Sequence, residues 1–181
     1  SLAAFPTLSR FFNEGNVDKF VASIVTAARH IIFWSIPVLT LFIVLRAQIV
    51  RTILGAGEFS WSDTRLTAAA LALFIISALA QSMILLFVRG YYAAGETKKP
   101  LTINTVFSLV TIVVSFILVS LYKENESMRT FFEELLRVEG GLPSTILMLP
   151  LAFSIGITLN AIFIWVSFEK SFKGFSKVLW R

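Results

Sequence analysis

Residues 66–88, LTAAALALFIISALAQSMILLFV, decide the fold, because this stretch contains no charged side chain. About 20 apolar residues in a helix are enough to cross the ~30 Å hydrocarbon core of a bilayer. Residues 101–122 and 142–168 are also free of charge, and residues 30–52 form a fourth stretch that only the arginines near its end interrupt. The sequence therefore predicts four transmembrane helices.

The composition of the 181 residues agrees with a membrane protein, since 56% are hydrophobic and only 15% are charged. Soluble domains contain about 45–50% apolar and about 25% charged residues, so the excess apolar surface is expected to face lipid. The apolar runs are too long for the ~10-residue alternating strands of a membrane barrel. We predict an all-α, polytopic membrane protein.

The remaining segments predict shorter helices and a single, partial membrane domain over 1–181. The opening residues, SLAAFPTLSR, do not start with Met and are typical of the last turns of a preceding helix. Segments 10–28 and 123–139 mix charged and apolar residues, so each is expected to form a short helix, either in the headgroup plane or as a solvated cap. Pro37 and Pro150 are expected to kink the first and fourth spans.

The distribution of charge predicts the orientation. Four spans place the segments 1–29, 89–100 and 169–181 on one side, with ten Lys and Arg against four Asp and Glu, a net charge of +6. The segments on the other side carry six basic and seven acidic residues, a net charge of −1. Lys and Arg are enriched in cytoplasmic loops, so both ends of the chain are predicted to be cytoplasmic.

The sequence offers no catalytic constellation. It contains no Cys and one His, which removes thiolate chemistry and multi-His zinc sites. No carboxylate lies inside a charge-free span, and no motif of a hydrolase or nucleotide-binding loop is present. We predict a transporter, channel or membrane scaffold rather than an enzyme, with no cofactor, no metal and no nucleic-acid partner. Coupling to a cation or to the membrane potential is not assigned to any residue.

Two amides inside the spans are candidate substrate contacts, because polar groups are costly in the bilayer and either serve a function or join helices. Gln81 lies in the middle of the second span, where it is expected to face a cavity or to hydrogen bond to another helix. Asn160 shares a helix face with Ala152 and Gly156, at intervals of four residues. That face favours close helix packing, with the amide fixing the register.

Two arginines are further candidates. Arg46 follows an apolar run in the first span, and is expected either to face substrate or to extend its guanidinium to the membrane surface. Arg89 directly follows the second span, with Lys98 and Lys99 soon after. These three cations predict either an orientation signal or a site for lipid phosphate.

Three segments carry a resemblance to a known family: FPTLSRFFNEGNVDKF (5–20), LRAQIVRTILGAGEFSWSDTRLTAAAL (45–71) and VRGYYAAGETKKPLTIN (88–104). In their order and spacing they resemble the MurJ/MviN family of bacterial lipid II flippases. The residues that match the family pattern are Pro6, Ser9, Arg51, Gly57, Phe59, Asp63, Thr64, Arg89, Tyr92, Thr97 and Pro100. Residues 149–165 with the following basic stretch also look like the twelfth helix of the family.

The resemblance implies that the chain corresponds to the end of helix eight through helix twelve of a fourteen-helix, two-lobed inner-membrane transporter. It implies lipid II, an undecaprenyl-diphosphate-linked peptidoglycan precursor, as substrate and alternating access as mechanism. Membrane lipids and the helices that precede this segment would be its partners. A drug or cation antiporter, or a polysaccharide-unit flippase of the same superfamily, is one alternative, and a non-transporting membrane scaffold is another.

The resemblance also implies that several functional residues of the family lie outside these 181 residues. The cavity arginines of the family belong to its first, second and eighth helices, before Ser1, and its lipid-tail groove belongs to the last two helices, beyond Arg181. The cation site of some members uses acids and amides partly from the eleventh helix. The third span here contains no acid, and its one amide is Asn104.

Overall fold

A computed structural model describes residues 4–55, 60–136, 144–172 and 175, with the side chains described from Leu8 onward. Its helices are α1 (Ala4–Asn13), α2 (Val17–Val44), α3 (Arg46–Leu54), α4 (Trp61–Ala93), α5 (Lys98–Glu124), α6 (Glu126–Leu136) and α7 (Met148–Ser171). A 3-10 turn, Ser144–Leu147, leads into α7. No strand occurs in these ranges, which confirms the predicted all-α class.

Four of the helices are long and apolar enough to cross a membrane: Val17–Val44, Trp61–Ala93, Lys98–Glu124 and Ser144–Ser171, the last including the 3-10 turn. At 1.5 Å per residue, the 33 residues of α4 extend about 50 Å, well beyond the ~30 Å hydrocarbon core. The predicted number of spans is therefore confirmed, since four helices have sufficient length. The protein is a multi-pass membrane protein.

The first span differs from the sequence prediction at both ends. The segment 10–28 is not one separate helix, because Gly15 adopts a left-handed conformation (φ 71°) between α1 and α2. Asn16 then caps α2 by accepting a hydrogen bond from the Lys19 amide at 3.3 Å. The helix runs from Val17 through the apolar stretch and ends at Val44, not at 52. Local turn chemistry therefore overrides the boundary that charge alone suggested.

The two prolines have different positions within their helices. Pro37 lies inside α2, which continues as a helix to Val44. Pro150 is the third residue of α7, where backbone N–H groups have no intrahelical partner to lose. The helix continues past Pro150 to Ser171, and the kink expected at this position stays a prediction.

The helices α4 and α7 form the centre of the bundle. The helices α2 and α3 pack against α4, whereas α5 packs mainly against α7. At Gly90 of α4 three helices come close together, because a Cβ there would lie 2.9 Å from Phe168 of α7 and 3.0 Å from Ile24 of α2. The helices α4 and α7 are therefore covered by their neighbours to a greater extent than α2 and α5.

Two apolar clusters occupy the two ends of the bundle. At one end, α1, α2, α4 and α7 meet in an aromatic cluster of Phe12, Phe20, Phe87, Tyr91, Trp165, Phe168, Phe172 and Phe175. Its closest ring centroids, those of Phe168 and Phe172, are 4.7 Å apart. At the other end, α6 and the start of α7 pack against Ala69, Leu73 and Tyr122.

Large apolar side chains remain exposed on the second half of α2 and along α5. Trp34 of α2 is 64% exposed and Phe116 of α5 is 75% exposed. Contiguous apolar surface of this kind marks a contact with lipid or with another part of a protein. These two helices thus present the surface that the bundle offers to its surroundings.

Candidate functional site

The contact between α5 and α7 is built around an amide pair. The Asn160 side chain is 6% exposed, and its Nδ2 donates to Oδ1 of Asn104 at 3.0 Å. Within the described part of the chain, Oδ1 of Asn160 has no hydrogen-bond partner. The structure thus places Asn160 between two helices, and sequence reasoning identified Asn104 without recognising it as the partner.

Small residues bring the same two helices close together, as the sequence predicted. Ala152 is fully buried, and a Cβ on Gly156 would overlap Oγ1 and Cβ of Thr111. Thr111 itself donates to the carbonyl of Phe107 at 2.8 Å, within its own helix. Ser108 and Ser115 likewise donate to their own i−4 carbonyls, so these hydroxyls need no partner on another helix.

A second polar contact joins α7 to α4. The buried Ser154 hydroxyl donates to the carbonyl oxygen of Leu73 at 2.5 Å. An apolar depression of about 240 Å³ lies beside it, lined by Leu73, Ile76, Leu151, Ser154, Ile155, Thr158 and Leu159. This contact could not be predicted from the sequence, because a single Ser in an apolar run does not reveal which neighbouring helix it faces.

Gln81 lies on the outer surface of α4. Its side chain is exposed and makes no hydrogen bond to any residue that the structure describes. On the same helix face are the exposed apolar side chains Phe74 and Leu85. Neighbouring Ser77 and Ser82 bond to carbonyls of their own helix. The bundle therefore leaves Gln81 available to substrate, to water or to a further helix.

Arg46 does not lie inside a membrane span. The helix α2 ends at Val44, and Arg46 is the first residue of α3. Its side chain is half-buried. The predicted span 30–52, which would have contained Arg46, is corrected, because the helix is interrupted at Leu45 and the arginine lies beyond the end of α2. Whether Arg46 contacts substrate or the membrane surface stays a prediction.

The family-pattern residues around the start of α4 cap that helix. The Ser60 amide donates to Oδ2 of Asp63 at 3.0 Å, and the Asp63 amide donates to Oγ of Ser60 at 3.2 Å, a reciprocal capping box. Thr64 is buried and donates to the carbonyl of Ser60 at 2.9 Å. The Arg51 guanidinium lies 4.7 Å from the ring centroid of Trp61. Gly57 and Phe59 lie outside the described residues.

The pattern at the other end of α4 forms the turn into α5. Thr97 immediately precedes α5, and Pro100 is buried in its first turn. Arg89 is half-buried and Tyr92 is 44% exposed. In α1, Pro6 lies in the first turn and Ser9 is half-buried.

Tyr91 and Lys99 connect this turn to α7, which sequence reasoning missed. The fully buried Tyr91 donates its hydroxyl to Oγ of Ser167 at 3.0 Å. Nζ of Lys99 pairs with Oε2 of Glu96 at 2.7 Å and donates to Oγ of Ser171 at 3.2 Å. The sequence Gly90-Tyr91 could have indicated this contact. A glycine allows two helices to approach closely, and the side chain next to it then lies in the core.

The polar groups do not converge on one centre. Asn160 lies in the α5–α7 contact, and Gln81 lies on the outside of α4. Arg46 lies at the start of α3, and Arg89 lies near the end of α4. In the ranges that the structure describes, no three His, Asp or Glu side chains come close enough to share a metal ion. The arrangement can hold helices in register and present a surface.

Comparison with known proteins gives the family. The model of the family described as "Lipid II flippase MurJ" matches residues 1–126. The chain belongs to this family. The match covers α1 through α5, including the turns at both ends of α4 that carry the family-pattern residues.

Individual relatives show the same similarity. A probable lipid II flippase MurJ of Bdellovibrio bacteriovorus is 30% identical over 112 residues, 62% of this chain and 21% of that protein. Proteins with the same description from Vibrio cholerae and Rhizobium tropici are 26% and 23% identical over 117 residues, 65% of this chain and 22% of each of them. The matched segment thus corresponds to about a fifth of the length of the curated relatives. No solved structure matches the chain.

Proposed function

We propose that this chain is part of a transporter that moves lipid II, the undecaprenyl-diphosphate-linked peptidoglycan precursor, across the bacterial inner membrane by alternating access. The observation that carries the proposal is the family match over residues 1–126. The three relatives, each described as a probable lipid II flippase, support it. A drug antiporter, a polysaccharide-unit flippase and a passive scaffold have no comparable support.

The chemistry of such a substrate explains what the protein has to supply. A diphosphate headgroup cannot cross hydrocarbon unaided, because burying its charge is too costly. It requires a hydrated, polar passage through the protein, while its lipid tail can remain in the bilayer. Two helical bundles that rock about a site near the membrane midplane would open this passage to each side in turn.

Within this scheme, the chain contributes wall and scaffold. The α4–α7 pair and the amide pair between α5 and α7 form a rigid unit. Gln81 is our candidate for a group that lines the passage, because an amide facing lipid alone would leave its hydrogen-bonding groups unsatisfied. The exposed second half of α2 offers an apolar surface for further helices of the same protein.

The proposed location is the inner membrane, with both ends of the chain in the cytoplasm. The segments assigned to the basic side include α1, the turn after α4 and the end of α7. These segments lie together at the end of the bundle that holds the aromatic cluster, where Phe12 of α1 is 6.2 Å from Phe172. Their excess of Lys and Arg supports the cytoplasmic assignment.

The test is depletion of the gene in its own bacterium, followed by measurement of lipid II at the outer surface with an added enzyme that cleaves lipid II and cannot enter cells. The expected result is a loss of cleavable lipid II while total lipid II stays constant or rises, with recovery when the wild-type gene is restored. Unchanged cleavage after depletion would overturn the proposed function. A control depletion of an unrelated multi-pass protein excludes a general membrane effect.

A further inference from the structure

The short helix α6 lies directly at the end of a spanning helix. The helix α5 ends at Glu124 and α6 begins at Glu126, so Asn125 is the only residue between them. The Asn125 amide donates to the carbonyl of Leu121, and the Arg129 amide donates to the carbonyl of Asn125, both within 3.1 Å. The start of α6 is therefore fixed at the level at which the exposed apolar surface of α5 ends.

The apolar side chains of α6 form one continuous face. At 100° per residue, the five of them fall within an arc of about 140°. They are Met128, Phe131, Phe132, Leu135 and Leu136. The rest of the circumference carries Glu, Arg, Thr and Ser. A helix with one apolar arc and one charged arc is suited to the boundary between an apolar and an aqueous phase.

The bundle covers only part of this apolar face. Leu136 is buried, and Met128 and Phe132 pack beside it against the cluster that contains Tyr122. Phe131 and Leu135 occupy the other part of the arc, and each is 59% exposed. The apolar face is thus wider than the surface that the bundle provides for it.

A polar anchor fixes the rotation of α6 about its axis. Oε1 of Glu133 accepts from Oγ of Ser144 at 2.8 Å and from Nε of Arg129 at 3.1 Å. Because Arg129 belongs to α6 itself, only the Ser144 bond joins this helix to the start of α7. Turning α6 to bury Phe131 and Leu135 in the bundle would break that bond.

We propose that α6 lies in the membrane interface and inserts Phe131 and Leu135 among the lipid chains beside α5. The occupant of this face is lipid, because α6 follows directly on α5 and the exposed apolar side chains of α5 extend to Leu121, within one turn of its end. The charged arc, with Glu126 and Glu134, then faces the headgroups and water. This inference depends on the membrane-spanning fold and not on which substrate the protein carries.

Single nitroxide labels test the proposal, and the absence of Cys from these 181 residues makes them simple to place. Phe131→Cys and Leu135→Cys are labelled in the full-length protein in liposomes of phosphatidylethanolamine and phosphatidylglycerol. Collisions with oxygen, which concentrates in lipid, are compared with collisions with a water-soluble nickel chelate. At both sites, oxygen is expected to collide several-fold more often than the nickel chelate.

Matched controls lie on the same helix. Thr130→Cys and Glu134→Cys, on the charged arc, should show the reverse preference, and Phe132→Cys, which faces the bundle, should be poorly accessible to both reagents. The labels at 131 and 135 replace exposed side chains, so the helix content measured by circular dichroism should not change. If the nickel chelate collides with the labels at 131 and 135 as often as with the label at 134, then α6 is a solvated cap. Poor access to both reagents would place protein, not lipid, on this face. Either result overturns the proposal.

Discussion

Gln81 is the exposed residue of the bundle that we propose lines the substrate passage. It carries the single amide of α4, and it is exposed between apolar neighbours on a helix that crosses the membrane. A lipid-facing leucine would be accommodated there without loss of any contact in the described bundle. We propose that this amide contacts a polar passage, because lipid alone would leave its hydrogen-bonding groups unsatisfied.

The substitution Gln81→Leu is expected to lower transport of lipid II several-fold while the amount of protein in the membrane stays close to normal. Surface cleavage of lipid II gives the first quantity and quantitative immunoblotting the second. Leu85→Ala, one turn further along the same face, is the matched control and should affect neither. If transport and protein level fall together, Gln81 contributes to packing and does not line a passage.

The pair Asn160–Asn104 is expected to couple α7 to α5 energetically. Interhelical hydrogen bonds in membrane proteins contribute about 0.6 kcal/mol on average, and up to about 1.7 kcal/mol. A double-mutant cycle of Asn160→Ala and Asn104→Ala should show a coupling free energy of this size, measured by unfolding in detergent.

The control cycle combines Asn160→Ala with Ser108→Ala. Ser108 donates to the carbonyl of Asn104 in its own helix, so no coupling with the Asn160 side chain is expected. Zero coupling in the Asn160–Asn104 cycle would show that the bond does not contribute to stability, and that the two amides are adjacent for another reason.

For individual residues, the sequence predicted contacts that depend on the interval between residues along one helix. It did not predict which neighbouring helix a side chain faces. The interval of four between Ala152, Gly156 and Asn160 was enough to predict a close helix contact. It could not show that the partner amide belongs to Asn104, because any of several helices could lie opposite. Tyr91 was missed for the same reason, since its burial depends on α7 passing over Gly90.

Among the helices, α2 shows how local chemistry sets an element boundary. A left-handed glycine and an asparagine cap start the helix at Val17, well before the apolar stretch. The charges of residues 10–28 suggested a separate segment, but these charged side chains are exposed, while Phe20, Val21 and Ile24 of α2 are buried. The spacing of the apolar residues therefore predicted the start of α2 better than the number of charged residues did.

The anchor of α6 makes a prediction about pH. Hydrogen bonds from Ser144 and then from Arg129 lower the pKa of Glu133 below its usual value. Because the pKa is lower in the folded protein than in the unfolded chain, the anchor stabilises α6 fully above the unfolded pKa of about 4.3. The stabilisation is lost as the pH falls through the folded pKa.

Carboxyl NMR titration of Ser144→Ala should give a pKa of Glu133 nearer to its ordinary value, with the contribution of Arg129 remaining. Ser144→Thr keeps a hydroxyl and is expected to retain most of the lowered pKa. An unchanged pKa in Ser144→Ala would show that the Ser144 bond does not hold α6 in place, and the rotation argued for this helix would lose its main support.

For the whole molecule, the fold class and three of the four spans followed from the sequence, because a charge-free run of more than 20 residues has few alternatives to a spanning helix. The bounds of the first span, which arginines interrupt, were predicted less well. A substrate passage could not be predicted in the same way. It requires residues from several helices, and the polar groups here lie at separate places on the bundle. The unpaired apolar surfaces of α2 and α5 indicate where further contacts are made, without giving their chemistry.

The orientation also belongs to the whole molecule, because each loop contributes only a small bias. The basic segments lie at one end of the bundle, and α3 and α6 lie toward the other. If the net charges of +6 and −1 direct insertion, the turn that contains Glu96 faces the cytoplasm and α6 faces outward.

Labelling of single cysteines in intact cells tests this account most directly. A maleimide that cannot cross the membrane should modify Glu134→Cys in intact cells, and should reach Glu96→Cys only after the membrane is permeabilised. That pattern requires α5 to cross the bilayer with its start in the cytoplasm. Modification of Glu96→Cys in intact cells, with Glu134→Cys protected, would reverse the orientation, and equal modification of both would contradict a spanning α5.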